Sequence, residues 1–297
     1  MKIVRDLERS EPFEDGSVVT IGAFDGVHLG HRAVLRLVRE LADARGLSAA
    51  LVTFDRHPAE VVRPGSAPKL LTTLDDRLEL LDATGLLDLC LVLTFDEARS
   101  HESAEDFVHE VLAGLLHARL VVVGADFHFG HKRGGNVALL EHMGADLGFE
   151  VLGLGLVAPQ PGSVPFSSTR VRELLAAGDV ESAAEVLGRP HELPGARTAG
   201  ELRVDERMCI PAPGLYAGTL TESDGSDREA VISVGASLGD GAGASATGVT
   251  GAGHIGEPHA DATMNADVTV VTGEAEGPRG RVRFRSRVGA SEQPGDA

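Results

Sequence analysis

Two histidines three residues apart, His28 and His31, close a glycine-rich loop in Gly22-Ala23-Phe24-Asp25-Gly26-Val27-His28-Leu29-Gly30-His31. At i and i+3 around a helix start, both imidazoles can face one ligand. A helix N-terminus also offers unpaired N–H groups and partial positive charge, the chassis on which proteins hold phosphate. Glycines let the backbone approach such a ligand closely. Aimed at a phosphate, the imidazoles would donate hydrogen bonds to charge that grows in a phosphoryl-transfer transition state. Taken singly, two histidines here read as capping or surface residues. Gly22, Asp25, Gly26 and Gly30 in the same loop favour the ligand reading.

Two further stretches carry chemistry. In Phe166-Ser167-Ser168-Thr169-Arg170-Val171-Arg172, hydroxyls open a helix and Arg172 follows within a turn. That is either a second phosphate cradle or a plain N-cap with a solvated arginine. Gly124 to Gly135 holds Asp126, Phe127, Phe129, Lys132 and Arg133. The chain has ten Phe, one Tyr and no Trp, and Phe24, Phe54, Phe127, Phe129 and Phe166 all fall at strand ends or in the loops that follow. Ligands of open α/β sheets bind at that edge, so these rings either stack on a flat ring system or cap the core. His254, His259 and Asp261 lie in an acidic, glycine-rich stretch with no rigid element to present metal ligands. Cys90 and Cys209 offer neither metal spacing nor a disulfide framework and read as inert thiols of a reducing compartment.

Positioning these residues requires a parallel sheet with crossover helices. Up to residue 190 strand-like and helix-like segments alternate. Expected strands are Val18–Ile21, Ala49–Phe54, Leu89–Phe95, Leu120–Val123 and Val151–Val157. Expected helices are His31–Arg45 stopped by Gly46, Thr73–Thr84 closed by Gly85, Ser103–Leu116 capped by Ser103, and Asn136–Leu147. A helix from the serines to Ala177 and a short one over Val180–Leu187 complete this part. After Pro190 the composition changes. Residues 194 to 216 read as turn-rich, with Pro194, Pro211, Pro213 and Gly214, and strand-like pieces follow at Leu215–Leu220, Ala230–Val234, Ala266–Val271 and Gly280–Arg285. Eight glycines within residues 235–256 predict a flexible loop.

The charge narrows the partners. With 45 acidic and 27 basic residues the chain carries a formal −18, a field that repels nucleic acid and anionic membrane. An anionic small molecule needs local cations, for which Arg170 with Arg172, Lys132 with Arg133, and the His28/His31 pair are the candidates. The start has no apolar signal region and no run is long enough to span a bilayer, so a soluble, cytoplasmic protein is expected.

Read together, these stretches resemble the motifs of the prokaryotic bifunctional riboflavin kinase/FAD synthetases. Gly22 to His31 looks like their first motif. Thr53-Phe54-Asp55-Arg56-His57-Pro58 resembles the second, usually Thr-Phe-x-Pro-His-Pro. Gly124-Ala125-Asp126-Phe127-His128-Phe129-Gly130 with Arg133-Gly134 resembles the third, and Phe166 to Arg172 the Ile-Ser-Ser-Thr-x-x-Arg signature of the wider nucleotidylyltransferase superfamily. The His-x-Gly-His loop also occurs in class I aminoacyl-tRNA synthetases, but their later lysine-rich loop is missing here.

The resemblance implies an α/β, Rossmann-like nucleotidylyltransferase domain with a parallel sheet over 1–190. A small β-rich, degenerate barrel domain would follow over 191–297. It implies FMN adenylyltransferase activity with Mg²⁺ carried by ATP. ATP would lie along Gly22, Phe24, Asp25 and Gly30 and at Ser167, Ser168 and Thr169. FMN would lie near Phe54, His57, Pro58, Asp126, Phe127 and Phe129. His28 and His31 would serve the α-phosphate, and Arg172 the leaving phosphates. Relatives carry a Pro-Thr-Ala-Asn stretch in the barrel for the kinase reaction. None occurs in this chain, so a barrel without kinase activity is expected. Ala23 stands where the family often has Asn, and Asp55-Arg56 replaces a commoner Glu-Pro. A changed acceptor or nucleotide, and a non-catalytic flavin- or nucleotide-binding protein, therefore stay as alternatives.

Overall fold

The computed structural model describes residues 1–5, 15–155, 157–158, 160, 163–198, 200–235, 268–272 and 277–288. The glycine-rich stretch from residue 236 on, with His254, His259 and Asp261, lies outside them. Contacts divide the chain into two units. The first is Met1–Glu173 with Ala183–Arg189 and Arg207–Cys209, and the second takes Leu174–Ser182, Pro190–Glu206 and the described part of 210–297.

The first unit is built on six parallel strands: β1 (Lys2–Val4), β2 (Ser17–Ile21), β3 (Ser48–Phe54), β4 (Leu89–Leu93), β5 (Ala118–Gly124) and, beyond a short hairpin of β6 (His128–Phe129) and β7 (Gly135–Asn136), β8 (Glu150–Leu154). The order across the sheet is β1-β4-β3-β2-β5-β8, with every ladder parallel. β2 is buried along its whole length, as a strand covered on both faces must be. It lies between β3 and β5, so the winding direction reverses there. The crevice at such a switch point is where open α/β sheets take their ligands, and the histidine loop leaves from the end of β2.

Helices follow local signals. α1 (Leu29–Arg45) begins two residues earlier than expected because His28 itself is the N-cap, and it stops at Gly46 in the left-handed conformation (φ 66°). α2 (Ala59–Val62) is a single turn after His57-Pro58. α3 (Leu74–Asp82) is capped by the Thr73 hydroxyl, shorter at its end than expected. α4 (Glu97–Ser100) precedes α5 (Ala104–Phe107), which Ser103 caps as expected. The chain then continues as a π-helix over Val108–Leu115 rather than an α-helix to Leu116. α6 (Val137–Leu147) is capped by Asn136, and β8 ends at Leu154, short of the expected Val157. α7 (Ser168–Ala177) and α8 (Val180–Leu187) close this region.

The second unit holds a closed barrel ordered β10-β13-β12-β11-β14-β9. Its strands are β9 (His191–Thr198), β10 (Glu201–Val204), β11 (Gly214–Thr221), β12 (Asp227–Val234), β13 (Val268–Thr272) and β14 (Arg279–Arg287). Tyr216, Phe284, Leu193, Leu202 and Ile232 are fully buried, so side chains fill the interior. The turn-rich reading of 194–204 is corrected here: Pro194 is inside β9, opposite Arg281 of β14. Its missing N–H is tolerated because β10 pairs with β9 only as far as Ala196.

Candidate active site

The loop after β2 is held by its own residues. Gly22 N–H donates to the carbonyl of Val52, extending the β2–β3 ladder by one bond. Phe24 (φ 50°), Gly26 (φ 81°) and Val27 (φ 41°) then take left-handed conformations, a concentration of backbone strain typical of functional loops. A Cβ at Gly26 would come within 2.8 Å of Leu71, and one at Gly30 would meet the His28 ring at 3.0 Å and Phe166 at 3.1 Å. At Gly22 the neighbour is the Phe24 ring, 3.1 Å away. Gly22 and Gly30 therefore make room for aromatic side chains, and Gly26 for Leu71.

His28 and His31 are brought together. Their rings stack at 3.6 Å, and Phe24 stacks on the far side of His31 at 4.5 Å. The N–H of His31 donates to Nδ1 of His28 at 3.3 Å. A ring nitrogen that accepts is unprotonated, so the His28 proton is assigned to Nε2. Burial pushes the His28 pKa down to about 4; Asp25 opposes this, while Arg172 and Arg189 add to it. His31 lies well below the usual imidazole range, through burial, then His28 and Arg77. Both rings are thus neutral near pH 7, not the local cations the sequence offered.

That neutrality has a thermodynamic sign. The unfolded chain takes up protons on both imidazoles near pH 6.5, which the folded chain refuses until far lower pH. The stabilisation is complete above about pH 6.5 and is lost as pH falls toward 4. His28 alone accounts for about 2 kcal/mol by pH 5. The midpoint of thermal unfolding should therefore drop by about 4–8 °C between pH 7.5 and 5, and His28→Ala should flatten that slope. An equal slope in the variant would contradict the assignment.

Asp25 is 3% exposed, and its carboxylate serves the fold. It accepts from the N–H of Leu71 (3.0 Å), the N–H of Thr72 (3.0 Å) and the Thr72 hydroxyl (3.1 Å), and pairs with Arg172 at 2.5 Å. Arg172 also donates from Nε to the Lys69 carbonyl at 2.5 Å. The Ser168 hydroxyl donates to the Asp25 carbonyl at 2.8 Å, and Ser167 accepts from the N–H of Arg170 as the cap of α7. Thr169 is exposed. The second candidate stretch is therefore bound to the first: Ser168 and Arg172 both grip Asp25.

Arg77 is a residue that motif reading passed over. It is 5% exposed and donates to the carbonyls of Ala23 (2.7 Å) and Phe54, tying the first loop to the end of β3. The Thr53 hydroxyl donates to the same Ala23 carbonyl at 3.2 Å. Its signal was present: Leu74, Arg77, Leu78 and Leu81 follow helical spacing, which puts an arginine on the apolar face of α3. Arg189, also unmarked, donates to the Gly26 carbonyl at 2.8 Å.

On the second motif, His57 Nδ1 accepts from the N–H of Ala59 (3.1 Å), again leaving the proton on Nε2, and burial followed by Arg172 lowers its pKa. Pro58 is the N-cap of α2. Asp55 accepts from the N–H of Phe95 at 2.9 Å. The aromatic residues divide their duties. Phe54 packs edge-on against Phe95 at 5.3 Å, Phe127 stacks on Phe129 at 5.5 Å, and all three named candidates pack against the core while keeping partial exposure. Asp126 is exposed beside them, and its carbonyl takes a hydrogen bond from His128 Nδ1 at 2.7 Å. Lys132 (φ 53°) and Arg133 (φ 61°), both exposed, occupy consecutive left-handed positions after Gly130.

A parallel sheet whose switch point carries a histidine-capped helix is a Rossmann-like architecture with a loop placed for ligand binding. Comparison with known proteins narrows this. Residues 10–170 match the family described as FAD synthetase. Relatives named bifunctional riboflavin kinase/FMN adenylyltransferase are 35% identical over 246 residues in Pseudomonas fluorescens (79% of this chain, 78% of that one). The relative in Escherichia coli K12 is 34% identical over 229 residues (73% and 72%), and that in Buchnera aphidicola subsp. Schizaphis graminum 32% over 215 (72% and 68%). A structure titled macrolide-efflux protein from Streptococcus pneumoniae shares the fold, with a TM-score of 0.71, 20% identity, and coverage of 99% of this chain and 92% of that one. The chain belongs to the FAD synthetase family, and it is an enzyme, an FMN adenylyltransferase. No helix among the described residues is long and apolar enough to cross a membrane.

Proposed function

We propose that the protein makes FAD by joining AMP from ATP to the phosphate of FMN, through the residues around His28, and that it does not phosphorylate riboflavin. The observation that carries the first part is the stacked, neutral His28/His31 pair at the start of α1, with His28 Nε2–H free of the internal hydrogen bond that Nδ1 makes. An FMN phosphate oxygen is already ionised, so no general base is needed. It attacks the α-phosphorus of ATP, the bond from that phosphorus to the bridging oxygen breaks, and pyrophosphate leaves with the electron pair. Catalysis is then alignment plus stabilisation of growing charge. Neutral N–H donors suit that task, since they are already oriented and do not ionise near pH 7.

In this reading His28 and His31 donate to the α-phosphate. Gly22, Phe24 and Gly30 shape the nucleotide side of the loop. The start of α7, with Ser167, Ser168, Thr169 and the guanidinium of Arg172, takes the leaving phosphates. Asp25 acts through Arg172, whose position it fixes. Phe54, His57, Pro58, Asp126, Phe127 and Phe129 line the flavin side. Mg²⁺ carried by the ATP phosphates would supply charge neutralisation there. The residues present do not form a cage for it: the acceptor positions of Asp25 are taken, and the described residues contain no group of three or more metal-ligating side chains. Placement in the cytoplasm, and the absence of a nucleic-acid or membrane partner, belong to the same reading.

The second part rests on β9 and β10. Thr198 pairs with Glu201, so two residues join the strands. This compact connection, in a chain without Pro-Thr-Ala-Asn, supports loss of the kinase loop. A changed flavin acceptor stays open through Asp55-Arg56, whose side chains pair with each other at 3.1 Å at the second motif. Incubation with Mg²⁺, ATP and either FMN or riboflavin, resolved chromatographically, tests both parts. FAD from FMN and no FMN from riboflavin is expected. FMN formed from riboflavin would refute the kinase claim, and bound FMN without FAD would favour a changed acceptor or a non-catalytic protein.

A further inference from the structure

Three residues of the C-terminal sequence belong by their contacts to the first unit. Arg207–Cys209 lie in the chain between β10 and β11, yet group with the parallel sheet. They clasp Leu70 from both sides of its peptide: Leu70 N–H donates to the Arg207 carbonyl at 2.7 Å, and Cys209 N–H donates to the Leu70 carbonyl at 2.7 Å. Leu70 and Met208 thereby form a parallel bridge. Met208 (2% exposed) and Cys209 (7%) are buried, so the clasp is not a surface tether.

The residues on either side of Leu70 hold the site together. Lys69 supplies the carbonyl that fixes Arg172, and Leu71 and Thr72 supply the N–H groups that fix Asp25. Residues 66–69 and 71–73 lie outside any helix or strand, so little of their own secondary structure sets their place. Backbone groups in such a segment need partners from elsewhere, and Leu70 finds both of its partners in the strap. The side chain of Arg207 adds a second reach. It pairs with Glu60 Oε2 at 3.5 Å, while Glu60 Oε1 accepts from the N–H of His57 at 2.8 Å.

We propose that Arg207–Cys209 is a positioning element of the adenylyl-transfer site. Its backbone fixes residues 69–72, and through them Asp25 and Arg172, while the Arg207 side chain fixes His57 through Glu60. This rests on the reading of Arg172 and His57 as groups that hold substrate. It also gives the C-terminal sequence a use in FAD formation that is independent of any kinase reaction.

The test uses the full-length chain. Arg207 is 59% exposed, so Arg207→Ala should leave the thermal midpoint within about 1 °C. The same variant should raise KM for FMN about three- to fivefold with kcat changed less than twofold, and Arg207→Lys should restore most of it. Cys209→Pro removes the N–H that binds Leu70. It should lower kcat about tenfold or more and speed amide exchange at Leu71 and Thr72, with exchange in the barrel strands unchanged. Unchanged KM in Arg207→Ala overturns the link to His57. Unchanged exchange at Leu71 and Thr72 in Cys209→Pro overturns the clasp. Because exchange is read without turnover, wild-type protein that forms no FAD would sink the proposed function and leave the clasp to be judged separately.

Discussion

Replacing His28 with alanine is expected to lower kcat for FAD formation by about 10²–10³-fold, the usual loss when one oriented donor to a developing charge is removed. KM for ATP should change much less, because the donation strengthens as charge grows on the α-phosphate. The variant also removes the acceptor for His31 N–H and one ring of the Phe24–His31–His28 stack. His28→Asn serves as the companion variant, since asparagine retains N-capping ability. It should recover the fold of α1 and little of the rate. Stopped-flow or quenched single turnovers with FMN and ATP would measure this directly. A kcat within threefold of wild type in both variants would remove His28 from the proposed mechanism.

Asp25→Ala should be the most destabilising single change in the loop, by about 3–5 kcal/mol, the cost of leaving the partner of a buried ion pair uncompensated. Arg172 would lose its counter-ion, and the N–H groups of Leu71 and Thr72 would lose their acceptor. Asp25→Asn keeps the shape and most of the hydrogen bonding, so it should cost less in stability while still releasing Arg172 and lowering turnover. Urea unfolding of both variants checks the ranking. A loss below about 1 kcal/mol in Asp25→Ala would mean that Asp25 does not organise the loop, and a direct contact of its carboxylate with the nucleotide side would then be favoured.

The sheet was legible because parallel strands buried on both faces are written as β-branched and leucine runs, such as Val18–Ile21 and Leu89–Leu93. Helix ends were legible where glycine or a hydroxyl marked them, as at Gly46, Thr73 and Ser103. β1 was not, since three residues that pair with β4 across the chain carry no local periodicity. The π-helical turns over Val108–Leu115 have the same apolar spacing as an α-helix and leave no separate trace. In the site, the histidine pair and the hydroxyl cap could be read from spacing. The neutral state of the histidines could not, because it comes from burial and from Arg77, Arg172 and Arg189, which converge only in the fold. Nor could the use of Gly30, whose missing Cβ makes room for the His28 ring. The strap of Arg207–Cys209 lies more than a hundred positions from Leu70 in sequence and joins it through backbone bonds that any residue with a backbone N–H could make.

This chain is expected to move the adenylyl group of ATP onto FMN and never the γ-phosphoryl of ATP onto riboflavin. Wild-type protein with Mg²⁺ and a mixture of FMN and riboflavin should be given ATP labelled at the α-phosphate in one arm and at the γ-phosphate in the other. Label is expected in FAD from the α arm and in pyrophosphate from the γ arm, with none in FMN from either. Labelled FMN in the γ arm, or unlabelled FAD in the α arm, would contradict it.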